Sequence, residues 1–163
     1  MERFNRTIPV PEVAGTEYSR FKEFVRADFE KCCAYCYLHE EHIGGLRHFE
    51  LDHFCPRKHC PDAVDDYYNL YWCCHGCNKP GSKHAHWPSK ELLELGYGFV
   101  DFCADRFEEH YEILPDGELK ALTLKAKYTI RHIGLNCEGL KTLRCRLCQQ
   151  GQPMDSGYAV ANK

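Results

Sequence analysis

The apolar positions come first. In residues 17–32, Phe21, Phe24, Val25 and Phe29 recur at helical spacing and predict an amphipathic helix with that stripe in the core. Residues 48–54 alternate Phe49, Leu51 and His53 against His48, Glu50 and Asp52, a strand pattern that Pro56 ends. Leu70, Tyr71 and Trp72 predict a short second strand, with a helix from near Cys74 that Pro80 and Gly81 interrupt. Ser89 caps a predicted short helix over 90–95, stopped by Gly96. Residues 106–124 read as a hairpin about Pro115-Asp116-Gly117. Ala126, Ile130 and Ile133 mark a helix. Asn136 is the expected cap of a last helix carrying Leu140, Leu143 and Leu147. The expected class is α+β: an extended arm over 1–16, a main core over 17–96, a hairpin-and-helix subdomain of the same unit over 97–149, and a flexible tail over 150–163.

Composition changes this picture in two places. The net charge of −3 does not advertise a nucleic-acid binder, but the charge is uneven. Residues 91–125 hold 3 basic and 9 acidic side chains, net −6, and residues 126–163 hold 6 basic and 2 acidic, net +4; the basic end reads either as a phosphate contact or as a solvated helix face. The second is the count of 12 cysteines. Residues 1–13 contain no apolar leader and no run is long enough for a membrane helix, so a cytoplasmic protein without membrane contact is expected. In a reducing compartment, Cys-x-x-Cys pairs bind metal more often than they form disulfides.

Two such pairs stand out, Cys33-x-x-Cys36 and Cys74-x-x-Cys77. Each turn aims two sulfurs at one point, and together they complete the four-thiolate tetrahedron zinc prefers. The bland alternative is four buried thiols acting as small hydrophobes. Cys32 and Cys73 precede the pairs, but only the chosen register keeps two-residue spacers in both. A closed four-thiolate shell has no position for water, so this Zn2+ is expected to be structural and to clip together the ends of the intervening segment.

Inside that segment lies His48-Phe-Glu-Leu-Asp-His-Phe54, followed by Tyr68-Asn69-Leu70 and then Cys77-Asn78. The ordered set, over residues 33–87, resembles the HNH endonuclease family in its subgroup with a four-cysteine structural zinc. The resemblance implies a ββα-metal core, two strands and a helix around one divalent ion, in residues 17–96. It implies that His53 is the general base, that Asp52 and Asn78 hold Mg2+ or Mn2+, and that Asn69 holds the loop and orients the imidazole. The chemistry is coherent in itself. Only histidine offers an unperturbed base near neutral pH, and hard oxygen ligands suit those ions. One departure is Gly81, where many members place a lysine; Lys79 and Lys83 flank it.

The expected function is therefore hydrolysis of phosphodiester bonds in nucleic acid, DNA foremost. Arg57, Lys58, Lys79 and Lys83 are the candidate phosphate contacts. The acidic balance also suits an effector subunit of a bacterial antiviral defence system, restrained by a protein partner. The alternative from another class is a non-catalytic zinc module that binds nucleic acid or protein, which would need neither Asp52-His53 nor the two asparagines. His84 and His86 read foremost as a surface loop packed by Trp87. Cys137, Cys145 and Cys148 are one ligand short of a second zinc site.

Overall fold

The computed structural model describes residues 4–15, 17–79 and 82–154. The Pro80-Gly81 break and most of the expected tail lie outside the described residues. Among the described residues the architecture is α+β with two small antiparallel sheets. After a 3-10 turn at Tyr18–Phe21, helix α1 runs Lys22–Asp28. Strand β1, Phe49–His53, pairs antiparallel with β2, Leu70–Cys74, in the register Asp52 to Tyr71 and His53 to Leu70. Short helices α2, Ser82–Ala85, α3, Lys90–Glu94, and α4, Phe107–His110, follow. The second sheet joins β3, Tyr111–Ile113, to β4, Leu119–Ala121. Helix α5, Leu124–Thr129, continues into a widened turn, Ile130–Gly134, and α6, Glu138–Gln149, ends the fold. No helix among the described residues is long and apolar enough to cross a membrane.

One buried cluster joins both halves, from Phe4 and Phe29 through Trp72 and Phe102 to Leu147 and Met154. Strand β2 is its spine, buried at all five positions. Several expectations need correction. Phe21, Val25 and Phe29 are core, but Phe24 is 39% exposed, because the first turn is 3-10 and shifts the stripe. No helix starts at Cys74. That residue ends β2, and its carbonyl accepts from Cys77 N and Asn78 N in a tight turn that aims the sulfurs. Asn136 caps nothing; its side chain bonds both backbone groups of Leu119, tying α6 to β4. Residues 150–154 are not loose, since Met154 is buried and its carbonyl accepts from His39 N at 2.9 Å.

The arm is docked. Arg6 donates to Asp28 Oδ2 at 3.0 Å and to the carbonyls of Leu70 and Tyr67, with its guanidinium 4.6 Å from the Tyr67 ring. Thr7 and Tyr67 also donate to Asp28, so this buried carboxylate is fully engaged where β2 begins.

Candidate functional site

The four-cysteine cluster is built by two tight turns. Tyr37 N donates to Cys33 O in the first, and Ala34 N donates to Trp72 O, fastening it to β2. The ligand atoms of Cys33, Cys36, Cys74 and Cys77 lie within 4.8 Å of one another, all buried, and the Cys36 and Cys74 sulfurs are 3.9 Å apart. Tetrahedral zinc with Zn–S bonds of about 2.3 Å spaces its sulfurs by about 3.8 Å, so the arrangement fits the ion. Among the described residues this is the one group of three or more Cys, His, Asp or Glu ligands close enough to share a metal. Cys32 and Cys73 are buried beside it but outside the ligand set.

The staple also reaches a cleft. Tyr35, inside the first pair, is buried, and its hydroxyl donates to Asp52 Oδ2 at 2.5 Å. Asn78 directly follows the last cysteine, and its Nδ2 donates to Glu50 Oε1 at 3.1 Å. Glu50, Asp52, His53 and Asn78 all line one open cleft of 580 Å³, with Tyr18, Arg57, Lys58, Lys79 and Lys83 among the other walls. Neighbouring strand residues ordinarily face apart, but His53 is the last residue of β1, where the chain leaves the sheet, and both it and Asp52 reach the cleft.

His53 Nε2 lies 2.9 Å from the Val64 carbonyl. A carbonyl only accepts, so Nε2 carries the proton and Nδ1 keeps the lone pair. Burial, reinforced by the Arg57 and Lys83 charges, holds the imidazole below its ordinary value of 6.5 against the opposing pull of Val64 O and Asp52. The Tyr18 ring meets it edge-on at 4.8 Å, and Arg57 donates to the Tyr18 hydroxyl at 3.1 Å. Asn69 does not touch the imidazole. Its Oδ1 accepts from Cys55 N at 2.8 Å, and its Nδ2 donates to the carbonyls of Cys55 and Ala63. It thereby stitches the segment after His53 to the segment presenting Val64 O, a positioning role.

Lys83 departs most from expectation. It does not point at the surface for a phosphate. It is 6% exposed, and its ammonium donates to Asp52 Oδ2, the His53 carbonyl and, at 2.6 Å, the Tyr35 hydroxyl. All three donors are spent, and an unpaired ammonium at this depth would be costly, which is the physical reason for the correction. Burial pulls its pKa down while Asp52 pulls it back. Arg57, Lys58 and Lys79 remain exposed on the rim.

Sequence reasoning missed Tyr18 and Tyr35. Tyr35 carries a usable signal, its place between the paired Cys33 and Cys36. Tyr18 has none, since its contact with His53 is tertiary. Cys55 and Cys60 form a disulfide across the loop that carries Pro56, Arg57 and Lys58. Cys137, Cys145 and Cys148 are not brought together as a ligand group. Compared with known proteins, the chain matches no protein-family model and no curated protein.

Proposed function

We propose that the cleft is the active site of a metal-dependent phosphodiesterase of the HNH type acting on nucleic acid, DNA foremost. The observation that carries the reading is His53: a neutral imidazole with its Nε2 proton committed to Val64 O, beside a carboxylate, in a cleft rimmed by cations. His53 Nδ1 takes a proton from the attacking water. Arg57, Lys58 and Lys79 hold the substrate phosphates. Asn69 keeps the imidazole's anchor in place, and Lys83 with Tyr35 fixes the Asp52 carboxylate.

The donor set suits a hard divalent ion. Tyr35 and Lys83 both take Oδ2 of Asp52 and leave Oδ1 to other partners, and Asn78 spends its Nδ2 on Glu50, not its Oδ1. A Mg2+ or Mn2+ ion held by Asp52 and Asn78 would supply positive charge to the scissile phosphate and the leaving oxygen. The Asp52–Lys83 pair favours a second reading, because a carboxylate already neutralised by a buried lysine has less need of a metal. That reading is a zinc-stapled module that binds nucleic acid without cutting it. Asn78→Ala separates the two. On the nuclease reading it abolishes Mg2+-dependent cleavage and weakens Mn2+ binding with zinc content unchanged. A wild type that binds DNA but neither cleaves it nor takes up Mn2+ favours the binding module.

A further inference from the structure

Beside the cleft lies a run of rings that the reaction does not use. His59 and His84, both exposed, sit 5.9 Å apart between ring centroids, and Trp87 is 6.3 Å from His59. His84 lines the cleft itself, so the run begins at the catalytic wall. Two residues further on, exposed His86 is 4.2 Å from His132, inclined at 34°, and His132 is 4.3 Å from Tyr128. The Tyr128 hydroxyl donates to the His86 carbonyl at 2.7 Å and fixes the two elements together. Trp87 and Tyr128 share a buried backing, Phe99, at 5.9 and 5.4 Å.

Fixed cations flank this run at both ends. Arg57 and Lys58 precede His59 and line the cleft. Arg131, exposed, directly precedes His132, and its charge acts on that ring. Of these rings His59, His84 and His86 are exposed and Trp87, Tyr128 and His132 are half-buried. Exposed rings beside cations are what an unpaired nucleotide strand needs: the bases stack on the rings and the backbone follows the charge. A duplex keeps its bases stacked on one another and offers them no such faces.

We propose that the ridge of His59, His84, Trp87, His86, His132 and Tyr128 binds unpaired nucleotides flanking the phosphate in the cleft, so that the preferred ligand is a polynucleotide with a single-stranded stretch. The inference rests on the nucleic-acid reading of the cleft and extends it to the form of the strand. Because the rings stack any base, little sequence preference accompanies the binding.

The test uses the full chain without added Mg2+ or Mn2+, so binding is read apart from cleavage. Fluorescence anisotropy follows labelled oligothymidylate, oligouridylate and a duplex of oligothymidylate with oligodeoxyadenylate. The wild type should prefer the single strands. His86→Ala combined with His132→Ala should weaken single-strand binding on the order of tenfold and lower the single-to-double-strand preference. His59→Ala, at a separate exposed position, should act in the same direction if the double variant is poorly folded, with zinc content and thermal unfolding as controls. Loss on oligothymidylate but not oligouridylate, or the reverse, still supports the ridge and identifies the sugar it takes. Equal loss on single strands and duplex, or no loss in either variant, overturns it. Its failure is distinct from that of the nuclease reading: plasmid cleavage by the wild type with unaltered single-strand affinity in the variants sinks the ridge alone, and single-strand preference without cleavage sinks the nuclease alone.

Discussion

At the scale of single residues, the site is organised by two buried hydrogen-bond sets, one around His53 and one around Asp52. The first makes a pH prediction. Burial lowers the folded pKa of His53, so the neutral base persists below 6.5. The kcat/KM profile of cleavage should stay level as pH falls to 6.5 and drop only below it; a limb above 6.5 would contradict the burial account. The sign for stability is the same. An unfolded chain takes up this proton more readily than the folded one, so His53 contributes stability above 6.5 that is lost as pH falls. The second set predicts the cost of Lys83→Met. It leaves Asp52 buried without its cation and should reduce unfolding free energy by about 3–5 kcal/mol in urea titration. Adding Asp52→Asn should restore part of that loss, and strict additivity of the two changes would argue against the pair.

At the scale of elements, a glycine controls how the second sheet meets α6. Gly117 has φ +83°, and a Cβ there would lie 2.1 Å from Lys141 O. Arg144, fully buried, donates to the Gly117 carbonyl at 2.6 Å and to Leu135 O at 2.8 Å, clamping the hairpin onto the helix. Gly117→Ala should cost about 3 kcal/mol, from the left-handed backbone and the overpacking together. A thermal shift of under a degree or so would mean the turn can move away. This turn was legible in the sequence, since Pro-Asp-Gly announces it. So were β1, β2 and α6, whose patterns are strong. The helix expected from Cys74 was not, because a cysteine pair that must aim two sulfurs uses a turn where apolar spacing alone suggests continuation. The cap at Asn136 failed for a similar reason: its side chain had a better partner in Leu119, far along the chain.

At the scale of the whole molecule, the staple and the cleft form one mechanical unit. Tyr35 and Asn78, adjacent to the clustered cysteines in the chain, each bond a residue of β1, so the four-cysteine cluster sets the frame in which Asp52 and His53 sit. The cysteine spacing made the staple legible, and the order of Asp52, His53, Asn69 and Asn78 made the cleft legible. Lys83, expected among the phosphate contacts, is buried instead, and nothing local in the sequence marks a buried lysine. Removing the zinc with a chelator, or substituting Cys74→Ser, should therefore loosen the β1–β2 core and abolish cleavage together, followed by near-UV circular dichroism and zinc content. A metal-free protein with an unchanged spectrum would show that the core stands without the staple. The claim that most depends on all of this is that His53 makes the chain a nuclease. Supercoiled plasmid with Mg2+ or Mn2+ tests it, comparing the wild type with His53→Ala at equal zinc content. The account predicts nicked or linear DNA from the wild type and none from the variant; equal cutting by both, or by neither, would contradict it.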